Sequence, residues 1–215
     1  MDLFEINRIA HVIIGSFAFG GGIIALSTKK GSKIHKTGGW IFVFGMFYSS
    51  ISTIIFMMEE FLPLAVLMGF ATVYLLMSSI AALRHTRKSS YIIDRTILLI
   101  PILLFAFSFL QFIRILPEIS LGAATRLLFA LTFGILILKD IKLIRSKPED
   151  HLFYVKRHAF RMILTFGFAV MAIIRIGIKI DFISLEMSTF APLLVSLIVA
   201  FLVEKNINKF LKATS

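Results

Sequence analysis

The chain has 215 residues, 58% of them hydrophobic, with 23 Lys and Arg against 12 Asp and Glu and no cysteine. A mean hydropathy of +0.93 lies far outside the soluble range and excludes a solvated globular domain. The formal charge of +11 is therefore a matter of helix ends and anionic headgroups, so membrane lipids rather than nucleic acid are the expected partners, and the missing cysteines exclude disulfides, thiolate metal sites and a Cys nucleophile.

Backbone groups in lipid must be satisfied internally, and continuous rather than alternating apolar runs select helices over a barrel. Roughly 20 apolar residues cross a hydrocarbon core, and such runs lie near residues 9–27, 40–58, 62–83, 96–113, 119–138, 158–178 and 187–203. The predicted architecture is all-α: a polytopic transmembrane bundle of seven spans forming one integral membrane domain over residues 1–215.

Before the first span stand Asp2, Glu5 and a single cation, Arg8. A secretory leader would be basic there, so a retained anchor is expected. Within that span His11, Gly15, Ala18 and Gly22 share one side. They form either a close-packing line or a smooth wall beside a flat ligand such as a porphyrin or quinone, with His11 as its polar contact.

Lys33, His35, Gly38 and Gly39 open the second span, and His35 is either a haem or metal ligand or a solvated loop residue. Trp40 falls at the expected membrane boundary, where an indole is at home. Arg126 lies about two turns inside the fifth span, a costly place for a charge. It is expected to pair with Glu118, Glu59 or Glu60, or to contact an anion. At the entrance to the sixth span, His158 and Met162 share a face, with Arg161 on the adjacent row and Thr165 beyond.

Lys and Arg counted by gap set the topology. Seventeen fall in alternate gaps, including Lys29, Lys30, Lys33 and Lys36, Arg84 to Arg95, Lys139 to Arg157, and Lys205 to Lys212; three fall in the others. The amino terminus is thus expected outside and the carboxyl terminus in the cytoplasm of a cell with the protein in its plasma (inner) membrane. His35 and His158 then both stand at the cytoplasmic end. They are expected to face one recess with Met162 and Arg161 in its wall and Gly39 leaving room, while His11 stands near the outer surface.

The segments HVIIGSFAFGGGIIAL, KKGSKIHKTGGWIFVFGM and FYVKRHAFRMILTFGFAV resemble domain-of-unknown-function family 2306, a group of small multi-pass bacterial membrane proteins. The positions that match are His11, Gly15, Lys30, Gly31, His35, Gly39, Met46, His158 and Met162. The resemblance implies a membrane-embedded fold and no particular activity. A looser similarity connects the chain to the ascorbate-dependent b-type cytochromes, whose His-bearing helix is followed by a Lys-x-x-His entry; here the spacing is Lys33-x-His35, and at most one cytoplasmic-side haem is implied.

HExxH, P-loop, GxSxG and CxxC motifs are absent from the sequence. The expected function is non-enzymatic, with a cytoplasmic-side His/Arg recess for a small molecule, lipid or cofactor. The alternative is a haem-dependent electron carrier, using either a bis-histidine or a His158–Met162 axial pair. No metal site is expected.

Overall fold

The computed structural model describes residues 2–56, 62–84, 88–116, 120–146, 148, 150–177 and 183–213. Every regular element among them is helical: α1 (Leu3–Ser27), α2 (Lys33–Phe56), α3 (Pro63–Leu83), α4 (Lys88–Ile97), α5 (Leu99–Ile115), α6 (Leu121–Ser146), α7 (His151–Gly177), α8 (Leu185–Lys205) and α9 (Ile207–Ala213). Six segments are long and apolar enough to cross a bilayer: Leu3–Ser27, Pro63–Leu83, Ile92–Ile115, Leu121–Ser146, His151–Ile174 and Leu185–Lys205. This is consistent with a multi-pass membrane protein. The sequence counts a seventh span at 40–58, which overlaps α2.

Helices α1 and α2 begin earlier than their apolar runs because their ends are capped by polar residues that hydropathy does not weigh. Asp2 accepts a bond from the Glu5 amide at 2.7 Å, so α1 starts six residues before the first apolar run. Ser32 caps α2 in the same way, accepting from the His35 amide at 3.1 Å. Between α4 and α5 the helix is interrupted at Leu98. Pro101 has no N–H for the carbonyl of Ile97, four residues back, and the ladder loses a rung there.

Contacts divide the chain into two compact units, one of residues 1–76 and 205–215 and the other of residues 77–204; the boundary falls inside α3.

In the first unit α1 and α2 form a helical hairpin. The turn uses Gly31 at φ +80°, a conformation that a side chain would strain. The two backbones then come close enough that a Cβ on Gly21 would meet the Gly38 carbonyl at 2.8 Å, and one on Gly45 would meet Ala18 Cβ at 2.6 Å. Small residues are what permit this approach in lipid, where no hydrophobic force drives helices together.

In the second unit the core is aromatic and aliphatic: Phe129, Phe133, Leu136, Phe160, Leu164, Phe168, Met171 and Leu193 are all buried. Phe129 meets both Phe133 and Phe168, which joins α6 to α7. A Cβ on Gly167 would lie 2.5 Å from the Ser196 side chain, which brings α7 against α8. The buried face of α7 also carries Tyr154, Arg157, Arg161 and Thr165 at three- and four-residue steps. Its polar stripe therefore points into the protein, the reverse of a helix at a water-facing surface.

Candidate functional site: a buried ionic cluster

Arg157 and Arg161, one turn apart on α7, meet Asp94 of α4 and Asp140 of α6. Arg157 engages Asp94 through both terminal nitrogens, Nη2 to Oδ1 at 2.5 Å and Nη1 to Oδ2 at 3.3 Å. Its Nη2 also reaches Asp140 Oδ1 at 3.2 Å, the same oxygen that accepts from Arg161 Nη2. None of the four residues is more than 4% exposed. Two guanidinium groups and two carboxylates balance formally to zero, which is what makes their burial tolerable, because an isolated ion moved out of water costs several kcal/mol even after relaxation (about 20 by idealised solvation).

The satisfaction is incomplete. Arg157 Nε is buried with no hydrogen-bond partner among the described residues. A buried donor left unmade typically costs about 1–3 kcal/mol. The Arg161 carbonyl accepts from Thr165 Oγ1 at 2.9 Å, which adds a neutral group to the same stripe.

His158 sits between the two arginines in sequence and turns toward α3. Its Nδ1 lies 2.8 Å from Ser79 Oγ and 3.3 Å from the Ser79 carbonyl. A carbonyl only accepts, so a proton on Nδ1 satisfies both contacts and leaves Nε2 as the ring's second functional atom. Met162, one turn on, is half-buried.

The histidines of the first unit are occupied differently. His35 Nδ1 donates to the Ala25 carbonyl at 2.8 Å, within a set of side chains that caps the end of α1. Ser27 bonds the Ile23 carbonyl, Thr28 bonds that of Ile24, and Lys30 Nζ reaches Ala25 and Leu26 at 3.0 and 2.6 Å. The last four carbonyls of a helix have no intrahelical partner, and here those of Ile24, Ala25 and Leu26 each have a side-chain donor. Desolvation in that position holds the Lys30 ammonium below the usual lysine range. Gly39 faces open space, with nothing within 4 Å of a Cβ placed there.

His11 lies 2.6 Å from Ser52 Oγ and edge-on to Phe56, while Asn7 Nδ2 donates to the Ser52 carbonyl at 3.0 Å. A Cβ on Gly15 would meet Ser49 Oγ at 3.6 Å, and Ala18 and Gly22 are buried. The line of small residues thus faces α2, as close packing requires.

Axial ligands approach an iron from opposite faces of the porphyrin, whereas His158 and Met162 project from one helix face a single turn apart, so this pair cannot sandwich one ring. His35 lies in the first unit, where its Nδ1 is engaged by the Ala25 carbonyl. Among the described residues no three His, Asp or Glu side chains are grouped to hold a metal ion.

The expected partners of Arg126, namely Glu59, Glu60 and Glu118, lie outside the described residues. A side chain on Gly122 would meet Arg126 Nη1 at 3.0 Å and Glu186 Cγ at 3.8 Å, so a carboxylate-bearing residue of α8 approaches the same patch as this arginine.

Sequence reasoning singled out Arg161 and His158 but passed over Arg157, Asp94, Asp140 and Ser79. Arg157 had been counted among the loop cations of the fifth gap; it is buried in α7 instead. The available signal was the placement of Asp94 and Asp140 beside cations in otherwise basic gaps. Compared with family models, curated proteins and solved structures, the chain matches none.

Proposed function

We propose that the protein is a seven-span membrane protein that binds a small anion of the carboxylate or phosphate class at the cytoplasmic end of α7. The observation that carries this reading is the sharing of one Asp140 oxygen between Arg157 and Arg161. Asp140 acts as an internal stand-in for the anion. An entering carboxylate or phosphate that takes its place against the guanidiniums meets donors that already converge on one oxygen position. The open Nε of Arg157 is a further donor for such a ligand. Intramembrane ionisable residues ordinarily mark substrate or proton pathways.

The remaining elements of the proposal are topological. Helix α2 is taken as the seventh span, since its 24 residues reach about 36 Å and lie against α1. The bias of seventeen cations against three supports an outside amino terminus and a cytoplasmic carboxyl terminus in a plasma (inner) membrane. The matching His and Gly positions support kinship with domain-of-unknown-function family 2306. The shared His35–His158 recess is not needed, because α7 supplies the site and His35 caps α1.

Thermal unfolding of detergent-purified protein with acetate or inorganic phosphate, against chloride at equal ionic strength, is expected to show anion stabilisation that weakens in Arg157→Lys. Stabilisation equal to that of chloride would sink the reading.

A further inference from the structure

The face of the α1–α2 hairpin away from its polar contacts carries a groove of about 490 Å³ lined by Ile14, Phe17, Thr37, Trp40, Ile41, Phe44 and Gly45. Its origin is local. Where Ala18 meets Gly45 there are no large side chains, and the backbones are so close that a Cβ added to Gly45 would lie 2.6 Å from that of Ala18. Phe17 on one helix and the stacked Trp40–Phe44 pair on the other stand up on either side as walls. Trp40 and Phe44 are 44% and 67% exposed, so the walls are open to whatever surrounds the helices.

The end of the groove is charged. Lys33, Thr37, Trp40 and Phe44 follow one another at four- and three-residue steps, so Lys33 heads the same stripe, and Lys36 flanks it. Both lysines are exposed, and the first turn of α2 contains no acid. That placement runs against the helix itself. The amino-terminal end of a helix favours negative charge, and here its first turn carries two cations and no acid, which suits an anionic ligand.

We propose that this groove is a binding site for an anionic diacyl phospholipid, with one acyl chain between Phe17 and the Trp40–Phe44 wall and the phosphate at Lys33 and Lys36. The apolar trough selects a hydrocarbon chain, the lysines select the headgroup, and the helix end adds its dipole to theirs. The site is independent of the ionic cluster of the second unit.

Trp40 is the chain's single tryptophan, so its fluorescence reports the groove alone. The protein is reconstituted in phosphatidylcholine vesicles containing increasing fractions of brominated phosphatidylglycerol or brominated phosphatidylcholine. At equal fractions brominated phosphatidylglycerol is expected to quench more strongly, with a relative affinity of roughly fivefold per lysine engaged. The preference is expected to vanish in the double variant Lys33→Gln/Lys36→Gln and to persist in Lys205→Gln/Lys209→Gln, which removes two cations elsewhere. Equal quenching by the two lipids, a preference that survives in Lys33→Gln/Lys36→Gln, or its loss in Lys205→Gln/Lys209→Gln would overturn the proposal.

Discussion

Two ion pairs in the second unit show how burial decides the worth of a charge. Lys139 reaches Glu204 at 2.6 Å with both side chains more than a quarter exposed, and its ammonium also lies 4.5 Å from the Phe160 ring centre. Asp140 and Arg161 are each about 1% exposed. Water can replace the lost partner in the first case and not in the second. Glu204→Gln is therefore expected to cost no more than about 1 kcal/mol, whereas Asp140→Ala, which removes the carboxylate that Arg157 and Arg161 share, is expected to cost about 3–5 kcal/mol. The paired replacement Asp140→Leu/Arg161→Leu leaves Arg157 with Asp94 and should recover much of that loss. Thermal unfolding in detergent checks the series, and equal losses for Glu204→Gln and Asp140→Ala would mean that the cluster is hydrated. Arg161 was legible in the sequence because it interrupts an apolar run. Its partners were not, because Asp94 and Asp140 sit among lysines and arginines that read as solvated helix ends.

At the scale of elements, the hairpin of the first unit depends on where its glycines point. A Cβ added to Gly21, Gly38 or Gly45 would meet backbone or Ala18 at 2.6–2.9 Å, while one on Gly20 or Gly39 would meet open space. Alanine at any of the first three must push the helices apart, and each substitution is expected to destabilise by about 1–3 kcal/mol, the usual cost of overpacking. Gly20→Ala and Gly39→Ala meet no obstacle and should stabilise slightly, since alanine in a helix interior is favoured over glycine by about 1 kcal/mol or a little less. Melting temperatures of the five single variants test the contrast, and a loss at Gly39 equal to that at Gly38 would contradict it. Composition alone gives all five glycines the same standing. Only the rotation of α1 against α2 separates them.

At the scale of the molecule, the distribution of cations carries the orientation. The chain contains no cysteine, so a single introduced thiol is a clean probe. Ser146 ends α6 in a basic gap and Ile183 precedes α8 in a poor one, and both are exposed. In intact cells an impermeant maleimide is expected to label Ile183→Cys and not Ser146→Cys. Labelling of Ser146→Cys alone would invert the topology. Arg157 slightly weakens the count that supports this orientation, because it is a structural cation and not one placed for the headgroups, yet removing it leaves the bias intact.

The class of the protein and the approximate position of its apolar helices can be read from the sequence, because transfer of apolar residues into lipid is a property of composition over a run of about 20 residues and needs no knowledge of neighbours. His11, His35, His158 and Arg161 also stand out there as polar residues in unusual places. What each of them touches depends on packing: His35 ends as a cap on α1, His11 as a partner of Ser52, and Arg161 as one member of a four-residue cluster. Hydropathy is additive along the chain. A hydrogen bond or an ion pair depends on which faces of distant helices are turned toward one another, and Asp94 and Arg157 are 63 residues apart.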